Sequence, residues 1–85
     1  MDGPPTSLDL LLAAELDHAR DMLVMMGDEL AMSPQIVSEH GLSLQAVDIV
    51  GQLIGHIASV VRAEDRHKAI EAIGMCELKN KLGAA

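Results

Sequence analysis

The chain has 85 residues with 13 acids and six bases, a formal net charge of −7, and no Phe, Tyr or Trp. A chain this short forms one small domain, and its core must be built from Leu, Ile, Val, Ala and Met. Arg20 is the only base in residues 1–61, which carry nine acids. This charge argues against nucleic acid and an anionic membrane surface as partners of the main body.

The cysteine content and the apolar runs indicate a cellular compartment. Cys76 is the single cysteine, which excludes an intrachain disulfide and is typical of a reducing compartment. We identify no N-terminal stretch with the charge pattern of a signal peptide. Asp48, Gln52 and His56 interrupt the longest apolar runs, so we expect no membrane-spanning helix. The sequence therefore predicts a soluble cytoplasmic protein with no membrane partner.

The first predicted element is a long helix over residues 7–31. Residues 1–6 are rich in Gly and Pro and are predicted to form a flexible tail. Ser7 is the expected N-cap of the helix. From Leu12 onward, apolar residues alternate between spacings of four and three, the heptad pattern of a helix that packs along another helix. Gly27 is expected on the polar side of this helix.

Two further helices are predicted next along the chain. Ser33, followed by proline, is typical of a helix start, and a short helix is predicted over residues 34–40. Gly41 is expected to end that helix. Ser43 is expected to cap a second long helix that extends to about residue 61. Its apolar residues cover about half of the circumference, which favours contact with two neighbours rather than one.

Near Glu64 and Asp65 the apolar phase shifts, which indicates a break followed by short helical segments over residues 65–82. Residues 83–85 are predicted to be a second tail, so that residues 7–82 form a single helical domain. Two long helices with heptad stripes predict an antiparallel hairpin. Two copies that pair into a four-helix bundle would cover the wide apolar arc. The predicted fold is therefore all-α: a dimeric four-helix bundle of hairpins, plus short extra helices.

A polar stripe extends along the second long helix. Asp48 and Gln52 are four residues apart and share one helix face on adjacent turns, and Gln45, His56 and Ser59 extend the stripe. A carboxylate that can reach a lysine, beside an amide that can hold a water, is a usable hydrolytic pair. We expect Asp48 and Gln52 to be exposed and to face outward. The simpler alternative is that the stripe is only the solvated side of an amphipathic helix.

The segment QAVDIVGQLI, from Gln45 to Ile54, resembles the active-site helix of the CheZ-type chemotaxis phosphatases, which carries an Asp-x-x-x-Gln motif. Those proteins are dimeric four-helix bundles that hydrolyse the aspartyl phosphate of a response-regulator receiver domain. The resemblance implies that Asp48 pairs with the receiver's active-site lysine and that Gln52 aligns a water for in-line attack. Gln45, His56 and Ser59 would then contact the partner. It also implies that this chain binds no cofactor, because the magnesium ion belongs to the receiver.

Two other functions compete with this hypothesis. The same bundle would also serve as a non-catalytic homodimeric interaction module, so whether the chain is an enzyme stays open. Apolar residues and Gly41 also match the spacing of a helix-turn-helix, with Ser43 at the start of its recognition helix. No Lys or Arg occurs from Asp21 to Val61, however, so that surface would bind DNA without counterion release.

Three weaker patterns involve His and Cys. Glu15 with His18, and Glu64 with His67, have the Glu-x-x-His spacing of di-metal bundles, but surface polar residues explain both pairs better. We therefore expect no metal site. His56 could act as a phosphoacceptor, yet a half-exposed bundle histidine is the simpler interpretation. Cys76 has no histidine or other base nearby in sequence and is expected to be inert.

Overall fold

The computed structural model describes residues 3–84, which form four helices and no strand. They are α1 (Ser7–Ala31), α2 (Pro34–Arg62), α3 (Arg66–Glu71) and α4 (Cys76–Gly83). The predicted all-α class is confirmed.

The long helices α1 and α2 pack against each other as an antiparallel hairpin. Close to the turn that connects them, Gly27 of α1 lies beside Val47 of α2. Towards the open end, Asp17 of α1 forms an ion pair with Arg62 at the end of α2. Residues late in α1 therefore face residues early in α2, as an antiparallel pair requires. The two long helices that pack together, expected from the heptad spacing, are confirmed.

Both long helices begin at side-chain caps. Thr6, not Ser7, is the N-cap of α1: its hydroxyl accepts from the Asp9 backbone N at 3.1 Å, and the Asp9 carboxylate accepts from the Thr6 backbone N at 3.0 Å. This capping box places the cap one residue before the predicted one, because Asp9 must occupy the third helical position. Ser33 caps α2 as predicted. Residues 1 and 2 of the predicted tail lie outside the described residues.

The helices predicted over residues 34–40 and from Ser43 onward are one helix, α2, with a kink. His40 has non-helical backbone angles, with φ −130° and ψ 29°, so the position of the irregularity was predicted. The two predicted segments therefore lie on either side of this kink, without a loop between them. Gly41 does not adopt a positive φ, so no left-handed residue closes the first segment, and the chain returns directly to the helical region.

The C-terminal part consists of the two short helices α3 and α4. Asp65 caps α3 by accepting from the Lys68 backbone N at 3.1 Å, so the predicted break at this point is present. The predicted helical segment over residues 65–82 is divided, because α3 ends at Glu71. α4 includes Gly83, the first residue of the predicted C-terminal tail.

The molecule has a very small core. Among residues 3–84, the buried apolar residues are Ala13, Ala58, Ile73 and Leu78. Two of these are alanines, and no large side chain in the described part of the chain is fully buried. The molecule measures 49 × 26 × 15 Å, and its radius of gyration of 15.2 Å exceeds the value of about 12 Å expected for a compact chain of this length. A helix with its side chains is about 10–12 Å across, so the hairpin is a single layer of helices.

One side of this layer is apolar. Many large apolar side chains are exposed, with exposed fractions between 45 and 82%. Because each helical residue turns by about 100°, one set of side chains lies on the same side of the line of contact between α1 and α2. This set, which we call the apolar face, comprises Leu8, Leu12, Ala19 and Met26 of α1 with Val50, Leu53 and Ile57 of α2. The wide arc predicted for the second long helix is therefore only partly covered by α1.

The contact between the helices uses a different part of α1 from the one predicted. Leu16 and Leu23 of the heptad stripe are half-buried, but Leu8 and Leu12 are exposed. Gly27 was expected on the polar side, yet it is half-buried, and a Cβ there would lie 3.4 Å from Val47 Cγ1. Small residues let the two helices approach closely, so the contact includes one edge of the apolar stripe and leaves the other edge exposed.

Helix α2 also meets the length and composition criteria for a membrane span. Its most apolar window has a mean hydropathy of 1.5, and 17% of that window is buried in the structure. Asp48, Gln52 and His56, which interrupt the apolar run, therefore do not by themselves exclude a membrane-spanning helix. Core helices of soluble proteins satisfy the same criteria. The cytoplasmic location stays a prediction.

Candidate functional site

The side of the hairpin opposite the apolar face is polar. The same helical register brings aspartates of α1 to this side together with the stripe of α2. These residues, which we call the polar face, are Asp17, Arg20, Asp21 and Asp28 of α1 with Asp48, Gln52, His56 and Ser59 of α2. Carboxylates, an amide, a guanidinium, a hydroxyl and an imidazole are thus placed on one surface.

Asp48 and Gln52 are both exposed on this polar face, as predicted. The Gln52 Nε2 donates a hydrogen bond to Asp48 Oδ2 at 3.1 Å. The contact joins adjacent turns of α2, which is the usual reach of side chains four residues apart. It uses one N–H of the carboxamide, so the amide oxygen and the second N–H stay open to solvent or to a docking protein.

Two shallow grooves lie along the seam between α1 and α2. One has a volume of about 350 Å³ and is lined by Arg20, Gln52, Gly55, His56 and Ser59. The other has a volume of about 150 Å³, and Asp48 lies on its wall. The Asp48–Gln52 pair therefore spans both grooves, with one member lining each.

The other predicted partner-binding residues are placed differently from one another. His56 is half-buried and Ser59 is exposed, and both line the groove that contains Gln52. The Ser59 hydroxyl donates to the Gly55 carbonyl oxygen at 3.1 Å, so this donor is already used. Gln45 is exposed, about one turn before Asp48, and does not line that groove. The structure thus brings Gln52, His56 and Ser59 together and leaves Gln45 apart.

Arg20 is a site residue that the sequence analysis missed. Gly51 and Gly55 leave space on α2 for a side chain of α1, and the Arg20 side chain lies there. A Cβ at Gly55 would lie 3.3 Å from both Cδ and Nη1 of Arg20, and a Cβ at Gly51 would lie 3.9 Å from its Cγ. The signal was the isolation of Arg20, the only base in residues 1–61.

Two aspartates of α1 hold the Arg20 guanidinium. Its Nε and Nη2 donate to Asp21 Oδ1 at 3.4 and 3.1 Å, and its Nη1 lies 3.4 Å from Asp17 Oδ1. Asp17 also accepts from Arg62 Nη1. This Arg62 hydrogen bond lowers the pKa of Asp17, helped by the charges of Arg62 and Arg20 and opposed by partial burial. Asp17 therefore stays ionised between two guanidinium groups.

The other polar patterns do not converge on a site in the structure. Within residues 3–84, no three His, Cys, Asp or Glu side chains come together as a metal-binding group. Glu15, His18, Glu64 and His67 are all exposed, and so is Cys76. The Glu-x-x-His spacings thus place their residues at the surface rather than inside the hairpin.

The polar face can bind, pair charges and position a water. The Ser59 hydroxyl donates to the Gly55 carbonyl oxygen rather than to His56, so these two side chains do not form a nucleophile–base pair in this structure. Comparison with protein-family models, with curated proteins and with solved structures finds no match for this chain. A functional assignment therefore depends on the geometry of the polar face and on the motif in residues 45–54.

Proposed function

We propose that this chain dephosphorylates a response-regulator receiver domain in two-component or chemotaxis signalling. The observation that carries the proposal is the exposed Asp48–Gln52 pair, joined at 3.1 Å on a rigid helix. Both side chains can enter a cleft of another protein without any opening of the hairpin. The CheZ-type motif around this pair supplies the two roles.

The proposed reaction needs positioning more than activation. When the receiver docks, its lysine takes the place of the Gln52 amide as the partner of Asp48, and the freed amide orients a water. The water oxygen bonds to phosphorus as the bond between phosphorus and the aspartyl oxygen breaks. The products are the receiver carboxylate and inorganic phosphate. The protons of the water pass to the phosphate and to solvent. The magnesium ion in this scheme belongs to the receiver.

The proposed working unit is a homodimer, with the apolar faces of two hairpins packed into a four-helix bundle. The chain exposes 6188 Å², whereas a folded protein of its mass of 9.0 kDa exposes about 4,900 Å². The excess of about 1,300 Å² is larger than the roughly 800 Å² that each partner buries in a stable interface. Such a dimer directs both polar faces outward and presents two sites.

The test is loss of acyl phosphate from receiver domains of the same organism. Each receiver is phosphorylated with acetyl phosphate, separated from the reagent with its magnesium retained, and mixed with a substoichiometric amount of the chain. We expect at least one receiver to lose its phosphate much faster than it does alone, followed on phosphate-affinity gels. A complete panel in which every receiver keeps its intrinsic lifetime would contradict the proposal.

The second candidate function is a non-catalytic homodimeric interaction module, and the exposed apolar surface favours it independently of the Asp48–Gln52 pair. It predicts binding to a partner protein without accelerated loss of phosphate, so the same mixtures examined for binding separate the two functions. The helix-turn-helix alternative gains no support, because a single irregular residue, His40, joins the two segments of α2, whereas that motif requires a turn of about three to four residues.

A further inference from the structure

Arg20 is built into the polar face rather than freely solvated. Its aliphatic stem lies against Gly51 and its guanidinium lies against Gly55, on the α2 surface that carries Gln52 one turn away. Any residue larger than glycine at position 55 would press against Cδ and Nη1. The two glycines therefore leave space for the guanidinium at the wall of the groove lined by Gln52, His56 and Ser59.

In this position the guanidinium keeps N–H groups that can still donate hydrogen bonds. Of its five N–H donors, two are donated to Asp21. Nη1, which lies against Gly55, is 3.4 Å from Asp17 Oδ1, beyond the usual length of an N–H···O hydrogen bond. A planar fork with free N–H groups matches the oxygens of a phosphoryl group better than any other side chain does.

We propose that Arg20 contacts the phosphoryl oxygens of the receiver's aspartyl phosphate while Gln52 holds the attacking water. This inference rests on the proposed function and adds to it a residue that neutralises charge on the transferring group. Phosphoryl transfer gains most of its catalysis from such charge stabilisation, and an arginine supplied by a partner protein is a common source of it.

The local charge balance permits this contact. Asp17 is shared with Arg62, so the Arg20 charge is not required to neutralise it alone. Asp21 is exposed and accepts from one edge of the fork only. Asp48 would be neutralised by the receiver lysine in the docked complex. The guanidinium therefore presents a positive edge to a phosphoryl group once the receiver is bound.

The test compares variants of the full chain in the acyl-phosphate assay, each first shown to be folded by circular dichroism. Arg20→Gln is expected to lower the rate constant of hydrolysis about 100-fold. Arg20→Lys should lower the rate constant by an intermediate factor, because an ammonium keeps the positive charge but not the planar arrangement of N–H donors. Gly55→Ala, which displaces the guanidinium while keeping its charge, should also reduce the rate. Glu29→Gln, the matched control, removes an exposed charge of α1 that belongs to neither face, and it should keep the parental rate.

A binding measurement separates phosphoryl contact from a structural role. The receiver is used with and without beryllofluoride, which mimics its phosphoryl group. Arg20→Gln should reduce the preference for the beryllofluoride form about tenfold, with little change for the unmodified receiver. Equal loss for both forms would show that Arg20 only supports docking and would overturn the inference.

The assay also distinguishes failure of this inference from failure of the proposed function. If the parent chain hydrolyses no receiver phosphate, or if Gln52→Ala is fully active, the proposed function fails and the Arg20 inference with it. If the parent is active and Gln52→Ala is not, but Arg20→Gln and Arg20→Lys match the parent, only the assignment of Arg20 is wrong.

Discussion

Gln52 combines exposure with restraint. Its side chain is open to solvent, yet the hydrogen bond to Asp48 limits the directions in which its amide points. A water-positioning group works best when its own rotamers are restricted before the substrate arrives. Asp48 therefore has two roles under the proposed function: it orients Gln52 in the free protein and pairs with the receiver lysine in the complex.

Replacing Gln52 by Ala should abolish accelerated hydrolysis and leave receiver binding largely intact, because the amide acts on the water. Gln45→Ala is the matched control, since it removes an equally exposed amide from the same helix, and it should retain most of the activity. The free energy of unfolding of both variants should lie within about 0.5 kcal/mol of the parental value, as is usual for exposed polar substitutions. Phosphate release and thermal melting check these outcomes.

Asp48→Ala should also reduce hydrolysis, because the receiver lysine loses its charge partner in the assembled complex. It should weaken receiver binding as well, unlike Gln52→Ala, and the two effects can be separated by titrating the receiver. Ser59→Ala, further along the same face, should matter less. Equal binding and equal turnover in Asp48→Ala and in the parent would remove the proposed role of the carboxylate.

At the scale of elements, ion pairs tie α1 to the C-terminal part of the chain. Asp17 pairs with Arg62 at the end of α2, and Asp9 pairs with Arg66 of α3 at 3.0 Å. The pKa of Asp9 is lowered first by the Thr6 backbone hydrogen bond, and also by the Thr6 hydroxyl and by Arg66, against partial burial. The same carboxylate thus completes the α1 cap and anchors α3.

Stability should therefore fall in acid. Asp9 and Asp17 have lower pKa values in the folded chain than in the unfolded chain. Their contribution is fully present above the unfolded pKa, close to 4, and is lost as pH falls through the lower folded values. The melting temperature should therefore fall when the pH is lowered below about 4. Asp17→Asn should flatten this dependence, whereas Asp28→Asn, which belongs to neither ion pair, should keep the parental profile.

At the scale of the whole molecule, the chain is a one-layer hairpin with two unlike faces. The polar face carries the Asp48–Gln52 pair, and the apolar face has no cover among the described residues. A single layer with alanines for much of its core has little apolar area to oppose the entropy of folding. Association through the apolar face would add the missing burial without obstructing the site.

Two valines of equal exposure test this arrangement. Val50 is 46% exposed on the apolar face, and Val24 is 47% exposed on the opposite side of the hairpin. Light scattering at micromolar concentration should show a dimer for the parent. Val50→Lys should shift it towards monomer and lower its melting temperature, because a charge would enter the interface. Val24→Lys should remain dimeric; a folded monomeric parent would remove the bundle from the proposal.

The sequence by itself determined the features that depend on neighbours along the chain. The bounds of α1, the Ser33 cap and the break near Asp65 follow from capping and helix-breaking residues, which act within a few positions. The exposed Asp48–Gln52 pair was predictable for the same reason, since a spacing of four sets one helix face. The irregularity before Gly41 was also predictable, but its geometry was not, because the backbone kinks at His40 without a left-handed residue at Gly41.

The tertiary structure decided which faces of the two helices meet. Rotation of α1 about its axis depends on how closely the two backbones can approach. Gly27 lies beside Val47, and Gly51 and Gly55 lie beside Arg20. These small residues favour a contact that includes only one edge of the leucine stripe. That rotation exposes the apolar face and brings Arg20 to Gln52 across 32 residues of sequence. Helical periodicity specifies each helix alone, whereas the angle between two faces is set by packing between distant residues.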